Sequence, residues 1–197
     1  MTGEAFWSLV RQTLFEPRDA ARALMAMRLP QEVLWQALAL MSVLYTITYT
    51  LSLGTTGPVD ASEMLMPAVF QAPVVLALAL FGGLALTVIA VRAIGQAIGG
   101  TAETVDVLVL ITWLQVLRLM VQVGIVVLAL GAPPLAGLAA IVVAVWGLYI
   151  FINFVDAAHG FDNRLKAFGA IILSVFAMVM GLRAILSLAG IVLTGGQ

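Results

Sequence analysis

Apolar residues along this chain come in long blocks, and short polar stretches between the blocks hold nearly all of the charge. Five blocks reach the roughly 20 helical residues needed to cross a hydrocarbon layer of about 30 Å, at 33–53, 68–91, 107–130, 135–155 and 167–193. A backbone inside such a layer must satisfy its polar groups within its own segment, and the blocks lack the period-two alternation of a barrel strand. Each block therefore predicts a helix. The fold class predicted is all-α, a polytopic membrane bundle of five transmembrane helices in residues 33–197, with residues 1–32 as an N-terminal segment ahead of it.

That first segment follows a different period. Phe6, Val10 and Leu14 recur at helical spacing with Trp7 and Phe15 beside them, while Arg11 and Gln12 fall elsewhere, which predicts an amphipathic helix over 4–15. Pro17 opens a second short helix with Asp19 in its first turn, and Pro30 with Glu32 does the same for the first span. The expected place for this segment is the membrane surface, with Phe6 and Trp7 in the interface and Arg11, Arg18, Arg22 and Arg28 against anionic headgroups. Packing beneath the bundle is the alternative. Four arginines and no central apolar core do not describe a cleavable signal peptide.

Charge then sets the expected orientation. Arg11, Arg18, Arg22 and Arg28 precede the first span, Arg92 lies between the second and third, and Arg164 and Lys166 lie between the fourth and fifth. The stretches 54–67, 131–134 and 194–197 hold no basic residue. With five spans, all these cations fall on one side, which predicts a cytoplasmic N-terminus and a C-terminus outside.

Composition confirms the class: 63% of the 197 residues are hydrophobic and 10% charged, and the mean hydropathy is +1.14. A net charge of −1 gives no reason to expect a nucleic-acid partner. Without cysteine, disulfides and thiolate metal sites are excluded. No cofactor and no metal are expected. The expected partners are membrane lipids and other membrane proteins, as a homo- or hetero-oligomer.

"GQAIGGT", residues 95–101, has the glycine frame of a phosphate-binding loop but not its lysine, and it follows a membrane helix instead of a strand. Its expected role is a helix stop and restart, with Thr101 as N-cap. Asp156 and His159, spaced i and i+3, form a polar cluster at the cytoplasmic boundary; the start of a proton relay or a metal site is one reading, though one histidine and one aspartate are too few to define a metal site, and an ordinary helix end closed by Gly160 is the other. Small residues four apart (Ala79 and Gly83; Ala136, Ala140 and Ala144; Ala177 and Gly181) predict close helix contacts, within the bundle or between protomers, and Pro73 with Gly82–Gly83 predicts a bend in the second span.

The oddest feature is "TWLQVLRLMVQVG", residues 112–124. Gln115, Arg118 and Gln122 lie at i, i+3 and i+7, one polar stripe along the third span. Arg118 is near mid-membrane, about 18 Å from the start of that span at 1.5 Å per residue, and Arg183 lies deep in the fifth. Burying each cation costs about 2.5–3.5 kcal/mol on insertion scales. No Asp or Glu occupies the middle of any span. A polar cavity is expected to collect Arg118, Arg183, Gln115 and Gln122 with the polar outer half of the first span, Tyr45, Thr46, Thr48, Tyr49, Thr50 and Ser52, and with Gln71. Such a cavity would be either a structural network or a site for a lipid headgroup or small anion.

The layout resembles the Yip1 domain family, of bacterial type: five spans, a segment like "LFEPRDAARALMAMRLP" before the first, and a glycine turn and helix like "IGQAIGGTAETVDVLVLITWLQ". The resemblance covers nearly the whole chain. It implies a cytoplasmic N-terminus and no catalytic residues. Eukaryotic members engage prenylated Rab GTPases and form complexes with relatives through a longer N-terminal region than residues 1–32 supply here. The function expected is therefore that of a non-enzymatic interaction or membrane-organising protein, with a transporter, channel or lipid-handling protein as the alternative.

Overall fold

In a computed structural model, residues 3–55 and 72–188 are described, and every described element is an α-helix. In chain order these are α1 (Gly3–Phe15), α2 (Pro17–Ala26), α3 (Gln31–Thr55), α4 (Pro73–Ala97), α5 (Thr104–Gly131), α6 (Pro133–His159) and α7 (Arg164–Leu188). The last five are long and apolar enough to cross a membrane. Residues 56–71 and 189–197, which include Asp60, Glu63, Gln71 and the ends expected for the second and fifth spans, lie outside the described residues.

Most of the helix ends differ from the edges of the apolar blocks because they are set by prolines, one capping box and a left-handed glycine, which hydropathy ignores. Pro73 occupies the first turn of α4, where its missing N–H costs nothing, and α4 then runs without interruption past Gly82 and Gly83. The expected proline bend is thus a helix start. α5 begins two residues later than a Thr101 cap would place it: Glu103 is the N-cap, in a reciprocal box with Asp106, and the Glu103 N–H donates to Asp106 Oδ2 at 2.9 Å. α6 ends at Gly160, whose φ of 62° lies in the left-handed region.

The five long helices pack as a ring in the order α3, α4, α7, α6, α5, with α4 and α5 also meeting across it. Turns at 98–103, at Ala132 and at 160–163 reverse the chain. One end of the bundle therefore gathers the α4–α5 and α6–α7 turns, and there α1 and α2 pack as a hairpin against α5 and α6. This basic end holds the core. Every residue from Val107 to Trp113 is buried, along with Phe154, Val155, Leu24 and Ala20.

Outside that core the bundle is thin. Gly83, Gly137, Gly147 and Gly181 have nothing within 4 Å of where a Cβ would stand. The small-residue rows containing Gly83 and Gly181 therefore face outward. They do not bring these helices together. Several hydroxyls within the spans turn back on their own helices: Ser42 donates to the Leu38 carbonyl at 2.9 Å, Thr46 to the Ser42 carbonyl at 2.9 Å and Ser174 to the Ala170 carbonyl at 2.7 Å.

Candidate functional site

The hairpin is joined to the bundle by polar contacts inside an apolar seam. α1 buries Leu9, Val10 and Thr13 and half-buries Phe6, whose ring meets Trp113 edge-on at 5.5 Å between centroids. The buried stripe is thus rotated from the Phe6–Val10–Leu14 line, and Leu14 is exposed. Trp113 Nε1 donates to Thr13 Oγ1 at 3.0 Å, and that hydroxyl donates to the Leu9 carbonyl at 2.8 Å. Trp113 is about 14 Å along α5 from Thr104 at 1.5 Å per residue, so α1 sits beside the bundle and not only beneath it.

α2 contributes charge to the same seam. Arg18 Nη2 pairs with Asp156 Oδ2, and the Asp156 side chain has no exposed surface. Its second oxygen accepts the backbone N–H of Asn163 at 2.9 Å. A buried carboxylate is tolerable only when paired and hydrogen-bonded, and Asp156 is both. Arg18 is therefore committed to the bundle and not to headgroups. Arg11, Arg22 and Arg28 remain exposed, as do Trp7 and Phe15.

His159 lies one turn further along α6 and takes different partners. Its Nδ1 stands 3.0 Å from the Val155 carbonyl, an acceptor only, so Nδ1 carries a proton. Nε2 is buried without a hydrogen-bond partner. The ring stacks on Phe161 at 5.1 Å between centroids, and Lys166 Nζ stands 4.7 Å over the other aromatic. Gly95 and Gly100 form the opposite wall: a Cβ on either would collide with the imidazole. The glycine frame of residues 95–101 is therefore a cradle for a histidine from another helix. The Thr101 N–H donates to the His159 carbonyl at 3.2 Å, closing the same corner. Among the described residues, no cluster of His, Cys, Asp or Glu could hold a metal ion.

The mid-span polar stripe opens elsewhere, onto a lateral groove of about 610 Å³ between α5 and α6. Gln115, Arg118 and Gln122 line one wall, and Ala140, Ala144 and Gly147 line the other, where small side chains leave the space. Leu14 of α1 and Trp146 also border the groove. Arg118 Nη2 donates to Tyr45 Oη at 3.2 Å, and its guanidinium carbon stands 4.6 Å from the Tyr45 ring centre. Tyr49 stacks on Tyr45, 6.5 Å away with planes 9° apart.

The structure thus brings Gln115, Arg118 and Gln122 together and places Tyr45 beside the arginine, with Tyr49 stacked on Tyr45. It leaves Arg183 apart, exposed on α7, which packs against α4 and α6. Thr46 and Thr48 do not join them, because each hydroxyl bonds a carbonyl of α3 at 2.9 Å. Among the described residues, no carboxylate pairs with Arg118: the ion pairs are Arg18–Asp156 and Arg22–Asp19.

The chain matches the family model of the Yip1 domain over residues 11–185. No curated protein and no solved structure matches it.

Proposed function

The chain belongs to the Yip1 domain family, and from that membership we propose that it organises membrane, a non-enzymatic integral protein acting through helix packing and lipid contacts. The observation that carries this reading is the hairpin. Its inner side is held by Trp113 and Asp156, and its outer side presents Trp7, Phe15, Arg11, Arg22 and Arg28. Exposed aromatics with exposed arginines suit the boundary between acyl chains and anionic headgroups. In the proposed setting, a bacterial cytoplasmic membrane, the hairpin lies on the cytoplasmic leaflet and the C-terminus lies outside. The outward rows containing Gly83 and Gly181 offer close-approach surfaces for further copies or other membrane proteins.

A spin-label measurement tests the hairpin's role. The chain has no cysteine, so Trp7→Cys or Phe15→Cys gives one labelling site each. In vesicles containing phosphatidylglycerol, oxygen should relax either label more strongly than a water-soluble nickel chelate does. Replacing Arg11, Arg22 and Arg28 by Gln should weaken that preference. Labels relaxed mainly by the chelate in every lipid would sink the proposal.

The runner-up is a lipid-handling protein, transporter or channel, and the observation favouring it is the α5–α6 groove.

A further inference from the structure

Arg118 lies at the centre of α5, about 21 Å from Thr104 and about 20 Å from Gly131 at 1.5 Å per residue. It is exposed at the bundle surface, with the Tyr45 hydroxyl and ring beside it. A phenol shares the charge without cancelling it. Among the described residues nothing anionic does so either. An uncompensated guanidinium at this depth carries a standing electrostatic cost, which an anion from outside the chain would relieve.

The groove shape selects the anion. From Arg118 its α5 wall runs about 10 Å to Ile125 and about 6 Å to Leu114 at 1.5 Å per residue, so apolar surface extends along the helix from the cation, as an acyl chain attached to an anionic group needs. Most of that wall is apolar: Leu117, Val121 and Ile125 face Ala140, Val143 and Ala144. Its polar side chains are the Gln115, Arg118 and Gln122 stripe, with the indole of Trp146 at the border. An inorganic anion would leave the apolar walls unused. A second copy of this chain seated there would bring a second Arg118 into a medium where like charges are costly.

We propose that the α5–α6 groove is a binding site for one anionic phospholipid. Its phosphate meets Arg118, its remaining headgroup oxygens accept from Gln115 and Gln122, and an acyl chain lies along the apolar wall. The site draws the headgroup off the interface toward mid-membrane. This deepens the lipid-contact reading above but uses none of the hairpin's residues except Leu14 at the groove's edge.

Native mass spectrometry tests the site, with protein released from nanodiscs of phosphatidylglycerol and phosphatidylcholine in equal parts. The wild-type chain should retain one phosphatidylglycerol. Arg118→Gln should lower that occupancy about tenfold or more, the scale of a lost charge-assisted hydrogen bond, and Arg118→Lys should keep most of it. Ala144→Trp, which fills the groove and leaves the cation in place, should also remove the lipid, so the test survives if Arg118→Gln fails to fold. Replacing Arg11, Arg22 and Arg28 by Gln should leave this one lipid bound. The proposal is overturned if Arg118→Gln and Ala144→Trp retain the lipid, if phosphatidylcholine is held equally well, or if a second chain occupies the groove in place of lipid. Loss only in the hairpin variant would also overturn it, while leaving the organising role intact.

Discussion

Arg18 of α2 and Asp156 of α6, 138 residues apart, form an ion pair in which the carboxylate is fully buried and the guanidinium is about one-third exposed. That asymmetry gives the two partners different values. Arg18→Gln strands a buried charge and should destabilise the protein by about 3 kcal/mol. Asp156→Asn removes the charge, keeps an acceptor for the Asn163 N–H and leaves an arginine that can reach water, so its loss should be smaller. Thermal unfolding in detergent of both single variants and the double variant checks the order. Equal losses would contradict this account.

The glycine cradle makes a second prediction with a built-in rescue. In a helix Gly→Ala ordinarily gains up to about 1 kcal/mol, but at Gly95 the new Cβ meets the His159 ring. Overpacking of this kind costs about 1–3 kcal/mol and should win. Gly95→Ala is therefore expected to lower the melting temperature, and His159→Ala in the same chain should recover part of the loss. Recovery, more than the loss itself, identifies the imidazole as the cause.

Gly83 supplies the opposite case. Nothing lies within 4 Å of its would-be Cβ, so Gly83→Ala should be neutral or raise stability by up to about 1 kcal/mol. If this outward row carries an oligomer contact, the same variant should shift the population toward monomer, visible by light scattering in mild detergent.

Thr13 and Trp113 hold the hairpin through one hydrogen bond. Thr13→Val leaves the indole N–H buried and unpaired, at a cost of about 1–3 kcal/mol. The hairpin should then detach before the bundle unfolds. Faster proteolysis at Arg11, with the five long helices still intact, is the expected result.

How far the sequence revealed this arrangement depended on whether the signal was local. The long helices were legible because twenty apolar residues in succession have few other uses. The polar stripe of Gln115, Arg118 and Gln122 was legible too, since it follows helical period on a single element. Its opposite wall was not: Ala140, Ala144 and Gly147 matter for what they leave empty, and an absence of side chain marks no partner. The purpose of Gly95 and Gly100 was hidden for a related reason, because the ring they accommodate comes from α6. Arg18 looked like its neighbours Arg22 and Arg28 until packing turned it toward Asp156. Arg183 and Arg118 looked alike as isolated cations at depth, and only the ring order separated them.

The separation of Arg18 from Asp156 also sets an order of events during synthesis. At roughly 5–20 residues per second, the 138 residues between them take about 7–28 s to make. Through that interval the hairpin has neither its ion pair nor, until Trp113 emerges, its hydrogen bond. α1 and α2 are made before the helices that fasten them. A docked hairpin therefore reports that the sixth helix has arrived, and a chain cut short before Asp156 would carry its arginine loose at the membrane edge, a mark by which unfinished molecules differ from finished ones.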